Sequence, residues 1–453
     1  MVYILVLATC LSGCGLYGKY KPVNMVDDRV FGDLQLGDSA GNIANLGWRE
    51  VFRDPHLQLL IDSALVNNIN LQVAHEHVEQ AQASLLGAKL GYLPSIQLDL
   101  SGGYGFTQPA QGASNGWYYN LGASASWEID IFGRTWNSMK KAQSVKAMAE
   151  DYEQAARAEL IAGVAEMYFT LLMLDQEREV AISTNKTWEE TVEIIKQLKE
   201  AGMANEAAVN QLEASCFEIQ TTRIDIEYKI REVENALRLS LNAPGMEIKR
   251  GTLQAQQLPE LFNVGVPVQI LYNRPDVRVA QETMAQAHYA RQYATANFLP
   301  RLSLSGMLGW TNGNGSPTLD PFTMIANAAG NLLMPIFQSG RNIAQLKAAK
   351  SQQRESRLQF AQVVLAAGNE VNNAMAEYQS CCKKKGLYTK QVDALLNARE
   401  ATSQLMKYGS TTYLDVLNAQ NTLLNAQFTQ IANDMQILIS AIQLYHALGG
   451  GQK

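Results

Sequence analysis

From residue 117 to residue 130 the chain alternates strictly. Trp117, Tyr119, Leu121, Ala123, Ala125, Trp127 and Ile129 interleave with Tyr118, Asn120, Gly122, Ser124, Ser126, Glu128 and Asp130. A period of two predicts a β-strand with one apolar and one polar face. Aromatic residues sit near both ends of the apolar face, and acids at one end of the polar face. Residues 95–106 show a similar pattern through Ile96, Leu98 and Leu100, and residues 301–310 repeat it with Leu302, Leu304 and Leu308. A fourth, weaker strand lies within residues 322–337. Strands about ten residues long, apolar on one face and polar on the other, carry the signature of a transmembrane barrel. A soluble sandwich is the rival reading of the same alternation. In lipid a sheet cannot leave an open edge, because its amide groups would find no partner. Four strands cannot close, and bacterial barrels start at about eight. Two or three copies must therefore share one barrel of eight or twelve strands.

Elsewhere the period lengthens. The 12 Pro residues are absent from residues 110–243 and from residue 336 onward, so both stretches are free to run as helix. The first predicts a helix over about 135–200, roughly 100 Å of rod at 1.5 Å per residue. Ala201-Gly202-Met203-Ala204-Asn205 breaks it, a return helix runs to about Leu241, and Asn242-Ala243-Pro244-Gly245 stops that one. The second stretch copies the plan: a helix over about 342–407, a turn at 408–412, a helix to about Leu448, then Gly449-Gly450-Gly451. In the last helix Leu417, Leu424, Ile431, Leu438 and Tyr445 fall seven apart, as do Asn421, Phe428, Met435 and Ile442. That 4/3 spacing is a coiled-coil seam. Asn421 within it is expected to face water or to set register.

The two halves repeat. Residues 70–103 align on residues 276–309 at a constant offset of 206, with Val73/Val279, Glu76/Glu282, Gln80/Gln286, Leu93/Leu299 and Pro94/Pro300 among the identical pairs. Ile131-Phe132-Gly133-Arg134 answers Ile336-Phe337, with Gly340-Arg341 two residues late; Ala201-Gly202-Met203 answers Tyr408-Gly409-Ser410 more loosely. A unit of strands and very long helices built twice predicts a pseudo-symmetric tube and not a catalytic cleft.

Composition refines this picture. The net charge of -6 and the lack of a basic cluster argue against a nucleic-acid surface, and Lys383 to Lys385 read as a solvated helix face. Residues 2–11 form an apolar run too short to span a bilayer, leading into Leu11-Ser12-Gly13-Cys14. Small residues before a Cys resemble a bacterial lipoprotein signal, with cleavage before Cys14 and acyl chains on it; an ordinary signal peptide is the alternative. No Lys or Arg precedes the run, unlike most secretory signals, which raises the question of an upstream start. Cys216, Cys381 and Cys382 form neither a disulfide framework nor a zinc pattern and read as inert thiols. His75 and His77 are two apart on a helix and do not share a face, so no metal site is expected. With no phosphate loop after a strand and no nucleophile elbow, the chain does not read as an enzyme.

Several phrases now carry a resemblance. Tyr92-Leu93-Pro94-Ser95 enters the first strand, and Trp127-Glu128-Ile129-Asp130-Ile131-Phe132-Gly133-Arg134 leaves the second for the long helix. Arg274-Pro275-Asp276-Val277-Arg278-Val279-Ala280 opens the second half, Tyr413-Leu414-Asp415-Val416-Leu417-Asn418-Ala419-Gln420 follows the second turn, and Ala447-Leu448-Gly449-Gly450-Gly451 closes the chain. In this order, with the Cys14 motif, the chain resembles a TolC-like outer-membrane efflux channel of the lipid-anchored branch.

The resemblance implies an α+β membrane protein: a homotrimeric 12-stranded β-barrel, four strands per chain, continued by a long α-helical coiled-coil tunnel into the periplasm. It implies a passive gated conduit exporting small molecules such as drugs, with no cofactor beyond covalent lipid on Cys14. The implied partners are two further copies, outer-membrane lipids, a periplasmic adaptor and an inner-membrane pump of the resistance–nodulation–division type. The expected organisation is a signal peptide (1–13), a lipid-anchored and equatorial segment (14–60), repeat 1 (61–245), a linker (246–274) and repeat 2 (275–453). Carried over by position, Leu414, Asn418 and Asn421 become the periplasmic gate, where relatives often carry a charge and this chain carries amides. Asp415 is expected to point elsewhere, into an inter-helix contact. Gly202, Met203, Ala204, Asn205, Gly409, Ser410, Thr411 and Thr412 become the tip that meets the adaptor. Plain seam packing for Leu414 and plain solvent-exposed turns remain the alternatives. A channel for type I protein secretion, or a lipid-anchored coiled-coil scaffold, are the rival functions.

Overall fold

The structure, a computed structural model, describes residues 18, 20–21, 46–107, 114–257, 259, 268–311, 324–408 and 410–451. Cys14 and the predicted signal segment lie outside the described residues, as does Gly409.

Two helices lead in, α1 (Trp48–Val51) and α2 (Pro55–Asn67). Asp54 caps α2 by accepting from the His56 N–H at 2.9 Å, with Pro55 in the first turn where its missing N–H is harmless. Then one series of elements occurs twice. First come α3 (Ile69–Leu90), β1 (Ser95–Thr107), β2 (Ser114–Ile129), α4 (Arg134–Glu200) and α5 (Glu206–Ser240). Second come α6 (Pro275–Ala296), β3 (Arg301–Thr311), β4 (Met324–Leu333), α7 (Arg341–Lys407) and α8 (Tyr413–Ala447). The paired helices have equal lengths: 22 residues for α3 and α6, 67 for α4 and α7, 35 for α5 and α8. Short 3₁₀ turns at Leu253–Ala255 and Val268–Asn273 lie between the halves. Every predicted strand and helix is present, within a few residues of its expected ends.

The helix ends explain why the repeat holds. Gly202 adopts φ +76°, letting Met203 N–H reach the Leu198 carbonyl at 2.8 Å and Gly202 N–H the Lys199 carbonyl at 2.9 Å. This is the reversal a left-handed residue permits at a helix C-terminus. Ser410 N–H closes the same way on the Leu405 carbonyl at 2.9 Å. At the far ends, Asn242 (φ +48°) and Gly449 (φ +79°) repeat the device, with Ala243 N–H on the Arg238 carbonyl and Gly450 N–H on the Tyr445 carbonyl.

Two compact units cut across the repeats. One is built from residues 76–150 and 279–361, the other largely from residues 151–278 and the chain from 362 on.

The first unit contains the sheet, in order β1-β2-β3-β4, with antiparallel neighbours throughout. Its register aligns the alternation of all four strands. Leu98 faces Ala123, Ala123 faces Leu308 and Leu308 faces Ala326; beside them Leu100, Leu121, Trp310 and Met324 form another row. The apolar positions thus merge into one face, and Ser124, Ser126, Ser303, Ser305 and Asn331 fall on the other. At the centre Gly122 pairs with Gly309 across the junction of the two repeats. A Cβ on Gly309 would lie 2.5 Å from the Leu121 carbonyl oxygen and 2.6 Å from the Gly122 Cα, so only Gly fits.

In the second unit long helices bury their shared seams. Tyr168, Leu171, Leu172 and Trp188 of α4, Leu212 of α5 and Ile442 and Tyr445 of α8 are buried with Leu57 and Ile61 of α2. Phe52 makes edge contacts with Phe169 and Tyr445 at centroid distances of 6.4 and 6.1 Å.

Candidate functional site

Three places carry the functional reading: the sheet, the helical turns with the start of α8, and a polar knot at the C-terminal end of α8.

On the sheet several residues of the apolar face are exposed. Leu98, Leu100, Tyr104 and Trp117 are all exposed, Leu98 at 67%. Tyr104 and Trp117 stack edge-on at 5.6 Å near one end of the strands, and Trp127 lies toward the other, donating its indole N–H to the Tyr92 carbonyl at 2.8 Å. A Leu side chain left in water forgoes about 1.5–3 kcal/mol of burial, so a face of this extent is built to be covered. Among the described residues β1 and β4 each pair on one side only. No helix of the described residues is long and apolar enough to cross a membrane.

Of the residues expected at the tip, all but Gly409 are described, and they lie in the two helical turns. Gly202, Met203, Asn205, Ser410 and Thr412 are exposed, and Ala204 and Thr411 are half-buried. Asn205 caps α5, its side-chain oxygen accepting from the Ala208 N–H at 2.9 Å. Lys196–Glu213 at 2.7 Å and Lys199–Glu206 clamp α4 to α5 beside the turn. The Asp415 carboxylate caps its own helix, accepting from the Thr412 N–H at 3.1 Å and from the Thr411 and Thr412 hydroxyls at 2.7 Å each, and among the described residues it makes no hydrogen bond to another helix. The two hydroxyls and the amide hold this carboxyl below its ordinary pKa.

Leu414, Asn418 and Asn421 share one side of α8. Leu414 is 41% exposed, Asn418 is exposed and Asn421 half-buried, with the exposed Asn425 continuing the stripe. The opposite side buries Val416, Leu417, Gln420 and Leu423. Of the expected seam, Leu417, Ile431, Leu438, Ile442 and Tyr445 are buried. Gln420 and Asn433 are the buried amides of α8 while Asn421 is half-buried, and Gln420 Nε2 reaches Thr191 Oγ1 of α4 at 3.4 Å. Leu424, Phe428 and Met435 are only half-buried. α8 packs on more than one helix. It meets α7 through Asn433 Nδ2 to the Cys381 carbonyl at 3.2 Å and through Leu423 and Ala426 on Val392, while Tyr413 Oη donates to Gln211 Oε1 of α5 at 3.3 Å.

The polar knot explains two phrases whose roles the sequence left unstated. Arg274 is buried; it donates to the Ala447 carbonyl at 2.8 Å, to Asp276 at 2.8 Å and to Glu370 at 2.6 Å. Burial alone would raise the Asp276 carboxyl, but the Arg274 fork and the Val277 N–H hold it below its ordinary pKa. The final glycines close on the same knot. A Cβ on Gly449 would press on the Asn273 and Arg274 backbone at 3.2 Å, and one on Gly450 would strike the Tyr445 ring. Nearby, Asp54 accepts from Tyr168 Oη at 2.6 Å and Gln256 Nε2 at 2.8 Å. Gln211, Gln420 and Tyr168 had no sequence signal, since each acts only through a partner distant in the chain.

Among the described residues no group of His, Cys, Asp or Glu is placed to hold a metal ion. His75 pairs with Glu153 at 3.0 Å. Cys216 and Cys381 are buried and Cys382 is exposed, all as free thiols.

The family model for outer membrane efflux proteins matches residues 60–243 and 266–450, one match on each repeat. The cation efflux system protein CusC of Escherichia coli O6:H1 is 28% identical over 98% of this chain and 97% of its own. The probable outer membrane lipoprotein SilC of Salmonella typhimurium is 27% identical over 99% of this chain and 97% of its own. Among solved structures, the open state of the MtrE outer membrane channel of Neisseria gonorrhoeae superposes with a TM-score of 0.84 at 26% identity, covering 97% of this chain and 99% of that one.

Proposed function

Because the chain belongs to the outer membrane efflux protein family, we propose that it is the passive conduit of a tripartite efflux pump, passing small toxic molecules out through the outer membrane. The observation that carries this is the four-stranded sheet with one continuous apolar face and two open edges. In lipid each unpaired edge amide costs several kcal/mol. Pairing β1 of one copy with β4 of the next removes every edge, and three copies give a 12-stranded barrel with the apolar face in lipid. The polar face then lines the lumen, and the long helices continue it into the periplasm.

The conduit needs no chemistry of its own; an inner-membrane pump of the resistance–nodulation–division type supplies the energy through a periplasmic adaptor. The turns at 202–205 and 409–412 are the adaptor contact. Their residues, small apart from the exposed Met203, leave backbone groups available to the adaptor. Leu414, Asn418 and Asn421 of three copies ring the axis, and Leu414 closes the pore by dewetting, as apolar constrictions do. With amides at 418 and 421, no salt bridge locks these sites. Acyl chains on Cys14 anchor each copy, each buried methylene contributing about 0.8 kcal/mol.

The test is single-channel conductance in a planar bilayer, wild type against Leu414→Ala with Asn418→Ala. Low, flickering conductance that rises sharply in the double variant supports the gated trimer. A folded, detergent-extracted protein without conductance in either form returns the lipid-anchored scaffold. Intact-mass measurement of wild type and Cys14→Ser checks the anchor, the acyl mass being lost in the variant.

A further inference from the structure

We infer that the unit holding the sheet carries a binding site for a small oxyanion, a soluble ligand bearing a phosphate or carboxylate. The site is a cavity of about 530 Å³ between the start of α4, the end of α6 and the start of α7. Arg134, Lys141, Arg301 and Arg341 line it, and no carboxylate does. In a chain of net charge -6 such a one-sided lining is unexpected.

The cations are unequally satisfied. Arg134 has a carboxylate partner, Glu128, at 2.8 Å, and it also donates to Tyr293 Oη at 2.9 Å. Arg301 donates to the neutral Asn297 Oδ1 at 3.2 Å, and its Nε, like that of Arg134, is buried with no hydrogen-bond partner among the described residues. Arg341 donates to the neutral Gln338 Oε1 at 3.2 Å. Among the described residues Lys141, Arg301 and Arg341 have no ion-pair partner. Like charges brought together repel, and a buried guanidinium N–H without an acceptor carries a desolvation cost. An oxyanion answers both. Its oxygens accept from two Arg forks at once, and the N-terminus of α7 adds its partial positive charge.

The place of the pocket selects the source of the ligand. Arg301 opens β3, and by strand alternation it lies with Ser303 and Ser305 on the polar face that also carries Glu128. That face looks into the lumen, an orientation that rests on the proposed barrel. The occupant is then a solute in the conduit and not a phospholipid headgroup against the apolar face.

The site is tested without conductance, using the full-length detergent-extracted protein and inorganic pyrophosphate as the probe. Isothermal titration is expected to give saturable binding that weakens about tenfold or more in Lys141→Gln with Arg341→Gln, since each change removes a charged donor. Both side chains are exposed, so folding is expected to survive. Arg341→Lys, keeping the charge but losing the fork, should fall between, and Lys383→Gln with Lys384→Gln, outside the pocket, should bind as wild type. No saturable binding in wild type, or equal binding in the pocket variant, overturns the site. Phospholipid retained on the purified protein is measured in parallel. Pyrophosphate binding that leaves bound phospholipid unchanged supports a soluble ligand. Binding that appears only after phospholipid is stripped, with the same lipid lost from the pocket variant, overturns the soluble source in favour of a headgroup. A conducting channel that binds no pyrophosphate sinks this site alone and leaves the conduit intact.

Discussion

The Tyr413 hydroxyl donates to Gln211 Oε1 at 3.3 Å, joining the first turn of α8 to α5. It is a hydrogen bond between the two helical hairpins beside their turns, one residue from Leu414. Both partners are neutral and solvent-accessible, so the bond is worth about 0.5–1.5 kcal/mol. A tie of that size shifts a gate without determining the fold. Tyr413→Phe is expected to raise the open probability several-fold in single-channel recordings while thermal stability changes little. Unchanged gating would mean that the bond only decorates the turn.

Gly309 tests the sheet. Its Cα lies so close to β2 that a Cβ would sit 2.5 Å from the Leu121 carbonyl oxygen. Gly306 is a control in the same strand, because a Cβ there meets the Asn327 carbonyl oxygen at 3.5 Å, an ordinary contact. Gly309→Ala is expected to abolish heat-resistant oligomers on gels without boiling, and Gly306→Ala to keep them.

Asp54 gives a pH dependence of known sign. Burial alone would raise its carboxyl, but bonds from Tyr168, Gln256 and the His56 N–H hold it below the ordinary carboxylate pKa. A carboxylate depressed in the folded state contributes stability above its unfolded pKa of about 3.9 and loses it as pH falls through the lower folded value. Wild type should therefore melt above Asp54→Asn at pH 7. The gap should narrow as pH falls below about 5 and close only once the pH is below the lowered folded value. A gap that does not narrow with falling pH would assign the effect to packing.

Arg274 tests the knot. Its removal leaves Glu370, Asp276 and the Ala447 carbonyl without their shared donor. Both carboxylates keep partial access to water, so Arg274→Ala should cost about 2–3 kcal/mol. Arg274→Lys should recover only part, because an ammonium cannot reproduce the fork. Denaturant melts of the two variants against wild type check this.

The sequence by itself determined the kinds of element and most of their ends. Period-two alternation over residues 117–130 became part of β2, and the Pro-free stretches became four helices that stop at Gly202, at Asn242, just before Gly409 and at Gly449. These are local effects: side-chain alternation, the lack of a helix breaker, and a residue that tolerates positive φ. The resemblance in the phrases around Arg134, Arg274 and Leu414 also sufficed to identify the family. The tertiary structure alone decided which amides of α8 are buried. The heptad spacing leaves Asn421 facing water or setting register; packing of α8 on more than one helix buries Asn433 and Gln420, the latter bonded to Thr191 in a helix more than two hundred residues earlier. The same holds for Tyr413 with Gln211, Tyr168 with Asp54, and the four cations drawn from α4, β3 and α7 around one cavity. Each of these depends on residues far apart in the chain being brought within a few ångströms, and neither period nor composition encodes a distance between helices.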